Sequence, residues 1–149
     1  MKSLFKKILV LIFICLLPSS KIFAEGKIKI GLVVPLSGEY SAIGDSIIKS
    51  TRLALNKIND EKFEIIPGDT KANPIDALKA SKALYDQGIK IIIGPVFNES
   101  TKYLDELDDV TFISFTNKIY GNPPNVISAG VNAISQFQTI DKFRNLNEI

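Results

Sequence analysis

The side chains that could do chemistry in this chain of 149 residues are few in kind. Histidine is absent and the only cysteine is Cys15, so a Ser-His-Asp triad, a His–Cys pair and a metal site of imidazoles or thiolates are excluded. Carboxylates remain, with a cluster at Asp105, Glu106, Asp108 and Asp109. We interpret this cluster as the solvated acidic end of a helix, because we expect no apolar setting there that would raise a carboxyl pKa. The composition therefore predicts a protein that is not an enzyme and that needs no cofactor or metal.

Small polar residues follow four apolar stretches of the sequence. In the clearest case, "IIIGPVFNES", three isoleucines end at Gly94-Pro95 and polar residues follow at once. We predict that Gly94 lets another backbone approach closely and that Pro95 ends the strand, because proline cannot donate to a ladder. Asn98 is predicted to cap the next helix, whose N-terminal amides could hold a carboxylate or another anion. The alternative is that Asn98, Ser100 and Thr101 serve only as caps.

Strand and helix periods alternate along the chain. Short apolar runs predict strands, and apolar residues three and four apart predict amphipathic helices. The predicted strands span 27–34, 63–66, 89–93, 110–115 and 126–128, and the predicted helices span 41–60, 73–88, 98–107 and 132–144. This alternation predicts the α/β class, with an open, mainly parallel sheet and helices on both faces.

The carboxyl ends of parallel strands meet at one edge of a sheet, and ligands of open α/β sheets bind at that edge. The predicted order collects four polar groups there: Ser37-Gly38, Asp69-Thr70, 94–100 and Thr116-Asn117. No G-x-G-x-x-G or G-x-x-x-x-G-K-[ST] pattern occurs, so no phosphate-binding loop accompanies them.

The first 24 residues have the pattern of a secretory signal peptide, with lysines before a short apolar run and "IFA" before a cleavage site after Ala24. The alternative is an uncleaved anchor, although the run is short for a bilayer. We interpret Cys15 as an apolar filler rather than a lipid site, because Ile14 stands where lipoprotein signals have a small residue. We therefore expect a signal peptide at 1–24, a mature chain at 25–149 and a periplasmic location.

Removal of the signal changes the charge of the chain. The whole sequence has 18 Lys+Arg and 16 Asp+Glu, and residues 1–24 contain four lysines and no acids. The mature chain therefore keeps 14 basic and 16 acidic residues, a net charge of −2. This balance gives no electrostatic reason to expect a nucleic acid or an anionic membrane as partner.

Three segments together carry a family resemblance: "IKIGLVVPLSGEYSAIGDSIIKSTRLALNKIN", "DTKANPIDALKASKALYDQGIKIIIGPV" and "FISFTN". Over about residues 28–143 the chain resembles the N-terminal lobe of the leucine-binding-protein-like, type I periplasmic binding fold. Within that superfamily, "GPVFNES", "FISFTNK" and "NPPNVISAGVNAISQF" are closest to the penicillin-binding protein activator branch. The resemblance implies a binding protein that regulates peptidoglycan synthases rather than one that delivers solutes.

The resemblance also implies where a ligand would bind. Transport receptors of this fold hold an amino acid after the third and fourth strands, where this chain has Asn98, Glu99, Ser100, Thr116 and Asn117. Together with Ser37 and Asp69 from the predicted edge, these residues form the predicted ligand-binding set.

Several departures weaken the transport interpretation. Asn98 replaces a small hydroxyl residue, and Phe97 and Phe115 are bulky for an amino-acid slot. Lys118 departs from an acid that is common in the activator branch, so it weakens that assignment as well.

Two functions from different classes remain open. A regulator of cell-wall synthesis would bind a synthase or another envelope protein. A solute receptor would bind branched-chain amino acids or related small solutes and pass them to an ABC transporter permease, and it would need a second lobe.

We expect the chain to be one lobe of a two-lobed protein, truncated before the second. Apolar groups at its strand-end edge, namely Phe97, Phe115, Ile119 and Tyr120, would then favour self-association, a complementary lobe or an envelope protein. The competing expectation is that the loop at 118–125 buries these side chains.

Overall fold

The computed structural model describes residues 26–118 and 120–146. The predicted signal peptide and Ile119 lie outside these ranges. The strands are β1 (Ile28–Val34), β2 (Phe63–Asp69), β3 (Ile91–Ile93), β4 (Thr111–Ser114) and β5 (Val126–Ser128). The helices are α1 (Ser41–Ile58), α2 (Pro74–Tyr85) and α3 (Ala133–Leu146), and two short 3-10 segments span Asn98–Thr101 and Leu104–Glu106.

The five strands form one parallel sheet in the order β2-β1-β3-β4-β5. The predicted α/β class with a parallel sheet is confirmed. β3 lies between β1 and β4, as expected for the triple-isoleucine run. All five strands point the same way, so their carboxyl ends share one edge of the sheet.

Helices pack against both faces of the sheet, and the side chains of each strand alternate between these faces. Val33, Ile92 and Phe112 point to one face and form the main core with Leu84 of α2. Leu32 and Ile65 point to the other face, where they border a small cavity of about 130 Å³ shared with α1. On that second face the part over β3 to β5 is open, and Ile91 and Ile127 are half-exposed there.

The start of α2 follows its sequence signal closely. The Asn73 side chain accepts a hydrogen bond from the Asp76 N–H (2.9 Å) and donates to the Asp76 carboxylate (2.7 Å), and Pro74 is the first helical residue. Side chains at every third or fourth position of α2 face the core, as the periodicity predicts.

Two of the differences between the predicted and the observed elements have a clear physical reason. β2 continues to Asp69 instead of ending at Ile66, and the edge position of β2 lets Pro67 lie in the strand without costing a ladder bond on its free side. The predicted helix at 98–107 is two 3-10 segments. Thr101 Oγ1 donates to the Asn98 carbonyl (2.7 Å), and hydroxyl bonds of this kind compete with α-helical hydrogen bonding.

The last helix, α3, has no buried residue. Asn132 precedes it, and its side chain accepts from the Ser135 N–H (2.9 Å). Large apolar residues such as Phe137 and Ile140 are mostly exposed on it. Among the described residues, no helix is both long and apolar enough to span a membrane.

Candidate functional site

The strand-end edge is the surface formed by residues 35–40, 69–72, 94–100 and 115–118, which follow β1, β2, β3 and β4. At one end of it, Ser37 Oγ donates to Asp69 Oδ2 (2.6 Å). The N–H groups of Leu36 and Lys71 donate to Asp69 Oδ1 at 2.8 and 2.9 Å. Ser37 and Asp69 are therefore together, as predicted, and they tie the loop after β1 to the loop after β2.

These contacts also set the charge of Asp69. Partial burial of the carboxyl opposes ionisation, but the hydrogen bonds from Ser37, Lys71 and Leu36 outweigh it and hold the pKa of Asp69 below its ordinary value of 3.8. Asp69 is thus an anion at neutral pH, and much of its accepting capacity is used within the protein.

An aromatic contact joins the loops after β1 and β3. The rings of Tyr40 and Phe97 meet edge to face, with centroids 4.9 Å apart, in the geometry that aromatic pairs prefer. Tyr40 is not among the residues that were predicted from the sequence. Its position two residues after Gly38, in the turn after a buried strand, is the signal that could have identified it.

The loop after β3 is fixed to the backbones on both sides of it. Gly94 has φ +107°, and a Cβ there would lie 2.1 Å from the Val33 carbonyl oxygen, so the predicted close approach is confirmed. The Pro95 carbonyl accepts from Ser114 Oγ (2.8 Å) and from the Phe115 N–H (3.0 Å). Ser114 is a positioning residue that the sequence analysis missed.

Asn98 does not cap a helix as predicted. Phe97 occupies the position before the 3-10 segment and makes no side-chain cap. The Asn98 Oδ1 atom is buried and accepts no hydrogen bond from any residue in 26–118 or 120–146, and the buried Ser100 Oγ has no partner in these ranges either. Because the segment has only four residues, the predicted N-terminal anion site is absent from this loop.

The remaining predicted site residues differ in exposure. Thr116 is buried, its N–H donates to Ser114 Oγ (3.2 Å), and its Oγ1 accepts from the Lys118 N–H (3.2 Å). Glu99 and Asn117 are exposed. The predicted residues therefore lie at one edge, but the Thr116 hydroxyl already accepts a hydrogen bond within the loop after β4.

Large aromatic side chains remain accessible along the strand-end edge. Tyr40 is 43% exposed, Phe115 39% and Tyr120, beside the edge, 75%. The loop after β4 therefore does not bury Phe115 and Tyr120, and the competing expectation is wrong for these two residues. Phe97 is half-buried against Tyr40.

The acidic cluster at 105–109 is solvated, as interpreted. Glu106 pairs with Lys82 at 2.6 Å, and Asp109 pairs with Lys90. The hydrogen bond from Lys90 holds the pKa of Asp109 below its ordinary value. No group of residues within 26–118 and 120–146 has the composition of a metal site.

Several solved structures have this fold. LpoA of Haemophilus influenzae has a TM-score of 0.64 over 83% of this chain and 23% of its own, at 16% identity. The branched-chain amino acid substrate-binding protein LivJ of Streptococcus pneumoniae, solved with isoleucine, has a TM-score of 0.55 at 25% identity, over 64% of this chain and 30% of its own.

Among curated proteins, the Leu/Ile/Val-binding protein BraC3 of Rhizobium johnstonii is 30% identical over 79 residues, which is 49% of this chain and 22% of that protein. The chain spans about a fifth of the length of the curated relatives it matches. The sequence model of a family described as periplasmic binding protein matches residues 27–142. The chain therefore belongs to the periplasmic binding protein family, with the type I fold of its solved relatives.

Proposed function

We propose that this chain is a non-catalytic lobe that binds a protein partner at its strand-end edge and regulates peptidoglycan synthesis, as penicillin-binding protein activators do. The observation that carries the proposal is the exposure of Tyr40, Phe115 and Tyr120 at or beside this edge. Exposed aromatic residues are enriched at protein interfaces, where they provide large contact area at small entropic cost.

The polar groups of the strand-end edge support the same proposal. The Asp69 carboxylate accepts from Ser37, Leu36 and Lys71. The Thr116 hydroxyl accepts from the loop backbone. Few of these groups are free to form hydrogen bonds with a small solute. A protein partner, in contrast, would need only a complementary shape and the apolar area of the edge.

The sequence resemblance to the penicillin-binding protein activator branch supports this proposal, and the chain also has a likeness to LpoA of Haemophilus influenzae. At 16% identity it concerns the fold, so the partner is our inference from the edge. A synthase or another envelope protein is the proposed partner, in the periplasm after cleavage of the predicted signal peptide. Self-association or a complementary second lobe is the other way in which these aromatics would become covered.

A second candidate function is solute binding for an ABC transporter permease. Asn98 and Ser100 favour it, because they lie in the loop after β3, where the family resemblance places a bound amino acid, and their Oδ1 and Oγ atoms have no hydrogen-bond partner among the described residues. The likeness to BraC3, named as a Leu/Ile/Val-binding protein, points the same way.

Calorimetry with free leucine and isoleucine separates the two candidates. A receptor surrounds most of its ligand, and one lobe offers a single wall. We therefore expect the chain to bind either amino acid with a dissociation constant no tighter than about 1 mM. LivJ of Streptococcus pneumoniae, measured in the same cell with isoleucine, is the positive control. Micromolar affinity of this chain for either amino acid would favour the receptor function instead.

A further inference from the structure

The second face of the sheet has an apolar surface over β3 to β5. The strand register places four side chains of this face in one row across the sheet: Leu32, Ile93, Ile113 and Ile127. Leu32 is buried, but exposure increases along the row until Ile127 is 55% exposed, and Ile91, on the same face of β3, is 45% exposed. We call the surface of Ile91, Ile93, Ile113 and Ile127 the open face. Parallel sheets are normally covered on both faces, so the open face calls for an apolar cover.

The helix α3 has an apolar side that packs against nothing in its own chain. Ile134, Phe137 and Ile140 lie three residues apart, within an arc of about 120° around the helix, and they are 46%, 71% and 63% exposed. Asp141 and Arg144, farther along the same side, pair with each other at 2.6 Å. The apolar side of α3 is therefore accessible, and the charges beside it are already paired.

The connection from β5 to α3 is held against the chain that follows β4. The Ala129 N–H donates to the Ser114 carbonyl (2.8 Å), and the Gly130 N–H donates to the Thr116 carbonyl (3.1 Å). These hydrogen bonds extend beyond the end of β5 and leave two residues before α3 begins. A return of α3 onto its own sheet would have to reverse the chain within those two residues. The α3 helix of a second copy has no such constraint.

The apolar area is sufficient for a weak dimer. Five side chains of one contact between α3 and the open face are 45–71% exposed: Ile91, Ile127, Ile134, Phe137 and Ile140. If each of them buries roughly 100 Å², two reciprocal contacts bury roughly 1,000 Å², the lower limit for a specific interface. A reciprocal contact also closes at two copies, as isologous interfaces do.

We propose that α3 of one copy packs on the open face of a second copy, and that the reciprocal contact forms a symmetric dimer. Each copy then supplies the helix that the sheet of the other lacks. This inference goes beyond the proposed function, because the strand-end edge takes no part in the contact.

Sedimentation equilibrium of the chain over a range of concentrations tests the dimer. We expect a dissociation constant on the order of 100 μM, because interfaces of this small size are commonly weak. Phe137→Glu on α3 and Ile127→Lys on the open face should each weaken dimerisation at least about tenfold. Both side chains are exposed, so circular dichroism should show an unchanged fold.

Mixing the two variants identifies which surfaces meet. In the mixed dimer, one contact joins a wild-type helix to a wild-type open face, and the other joins Phe137→Glu to Ile127→Lys, whose charges are opposite. We therefore expect the mixture to dimerise at least about fivefold more tightly than either variant alone.

Two control variants separate this dimer from other kinds of association. Leu53→Glu, at an exposed apolar residue of α1, and the Phe115→Ser/Tyr120→Ser double variant of the strand-end edge should both dimerise as the wild type does. A wild-type chain that stays monomeric at about 1 mM, ten times the expected constant, would overturn the proposal. Dimerisation that survives Phe137→Glu or Ile127→Lys, or a mixture of the two that dimerises no better than each alone, would overturn it as well.

Discussion

At the end of β2, the Asp69 carboxylate accepts hydrogen bonds from the Ser37 hydroxyl and from the backbone of Leu36 and Lys71. An aspartate at the end of a strand in an α/β protein is a reasonable candidate for ligand binding. Here Asp69 joins the loop after β1 to the loop after β2, and this structural role determines the effect of a substitution.

Asp69→Asn should lower the free energy of unfolding by about 1–2 kcal/mol at pH 7, because hydrogen bonds to a charged acceptor contribute about 1.5–3 kcal/mol and asparagine keeps some of them. The pKa of Asp69 is lowered in the folded chain, so its ionised form stabilises the fold above the unfolded value of 3.8. That stabilisation is lost as the pH falls through the folded pKa. Urea unfolding at pH 7 and at pH 3 tests this, and a difference between wild type and variant that grew on acidification would contradict it.

At the same scale, the loops that carry the predicted residues were easier to predict from the sequence than the contacts that their side chains make. Asn98 was placed at the correct loop, but its side chain caps nothing. A cap depends on the helix that follows, and the helix is only a short 3-10 segment here. Tyr40 was missed because its importance comes from contact with Phe97, and such contacts between loops have no local sequence signal.

At the scale of the elements, the loop after β3 passes close to the backbone of β1 at the strand-end edge. Gly94 has a positive φ and no space for a Cβ beside the Val33 carbonyl. Gly88, after α2, also has a positive φ (+82°), but a Cβ there would meet nothing within 4 Å. A comparison of the two glycines therefore separates the cost of a left-handed backbone conformation from the cost of a steric clash.

Gly88→Ala should cost about 1–2 kcal/mol of unfolding free energy, which is the cost of a left-handed conformation for an L-residue. Gly94→Ala should cost more than about 4 kcal/mol or prevent folding, because the backbone of β1 must also move. Denaturant titration of both variants by circular dichroism tests the order. Equal destabilisation would mean that the Gly94 approach does not constrain the sheet.

Element types were predictable where one local signal dominated. The strand period predicted β1 and β5 to within one residue, and the Asn73-Pro74 signal predicted where α2 begins. The end of β2 and the form of 98–107 were not predictable, because the first depends on β2 being an edge strand and the second on the Thr101 hydroxyl, which bonds within the turn.

For the whole molecule, the apolar surfaces that remain exposed determine what it can bind. The main core lies between the sheet and α2, while the second face is open over β3 to β5 and α3 buries no residue. The strand-end edge adds Tyr40 and Phe115, with Tyr120 beside it. A lobe with this much exposed apolar area is suited to assembly with other protein surfaces.

The most direct test of this account is biolayer interferometry of the chain against the purified periplasmic domain of a peptidoglycan synthase. We predict a dissociation constant on the order of micromolar, weakened at least about tenfold in the Phe115→Ser/Tyr120→Ser double variant, since interface aromatics commonly contribute this much. Leu53→Ser, an exposed apolar residue on α1 away from the edge, is the control and should leave binding unchanged. A wild-type chain that does not bind the synthase, or a double variant that binds equally well, would contradict the proposed function.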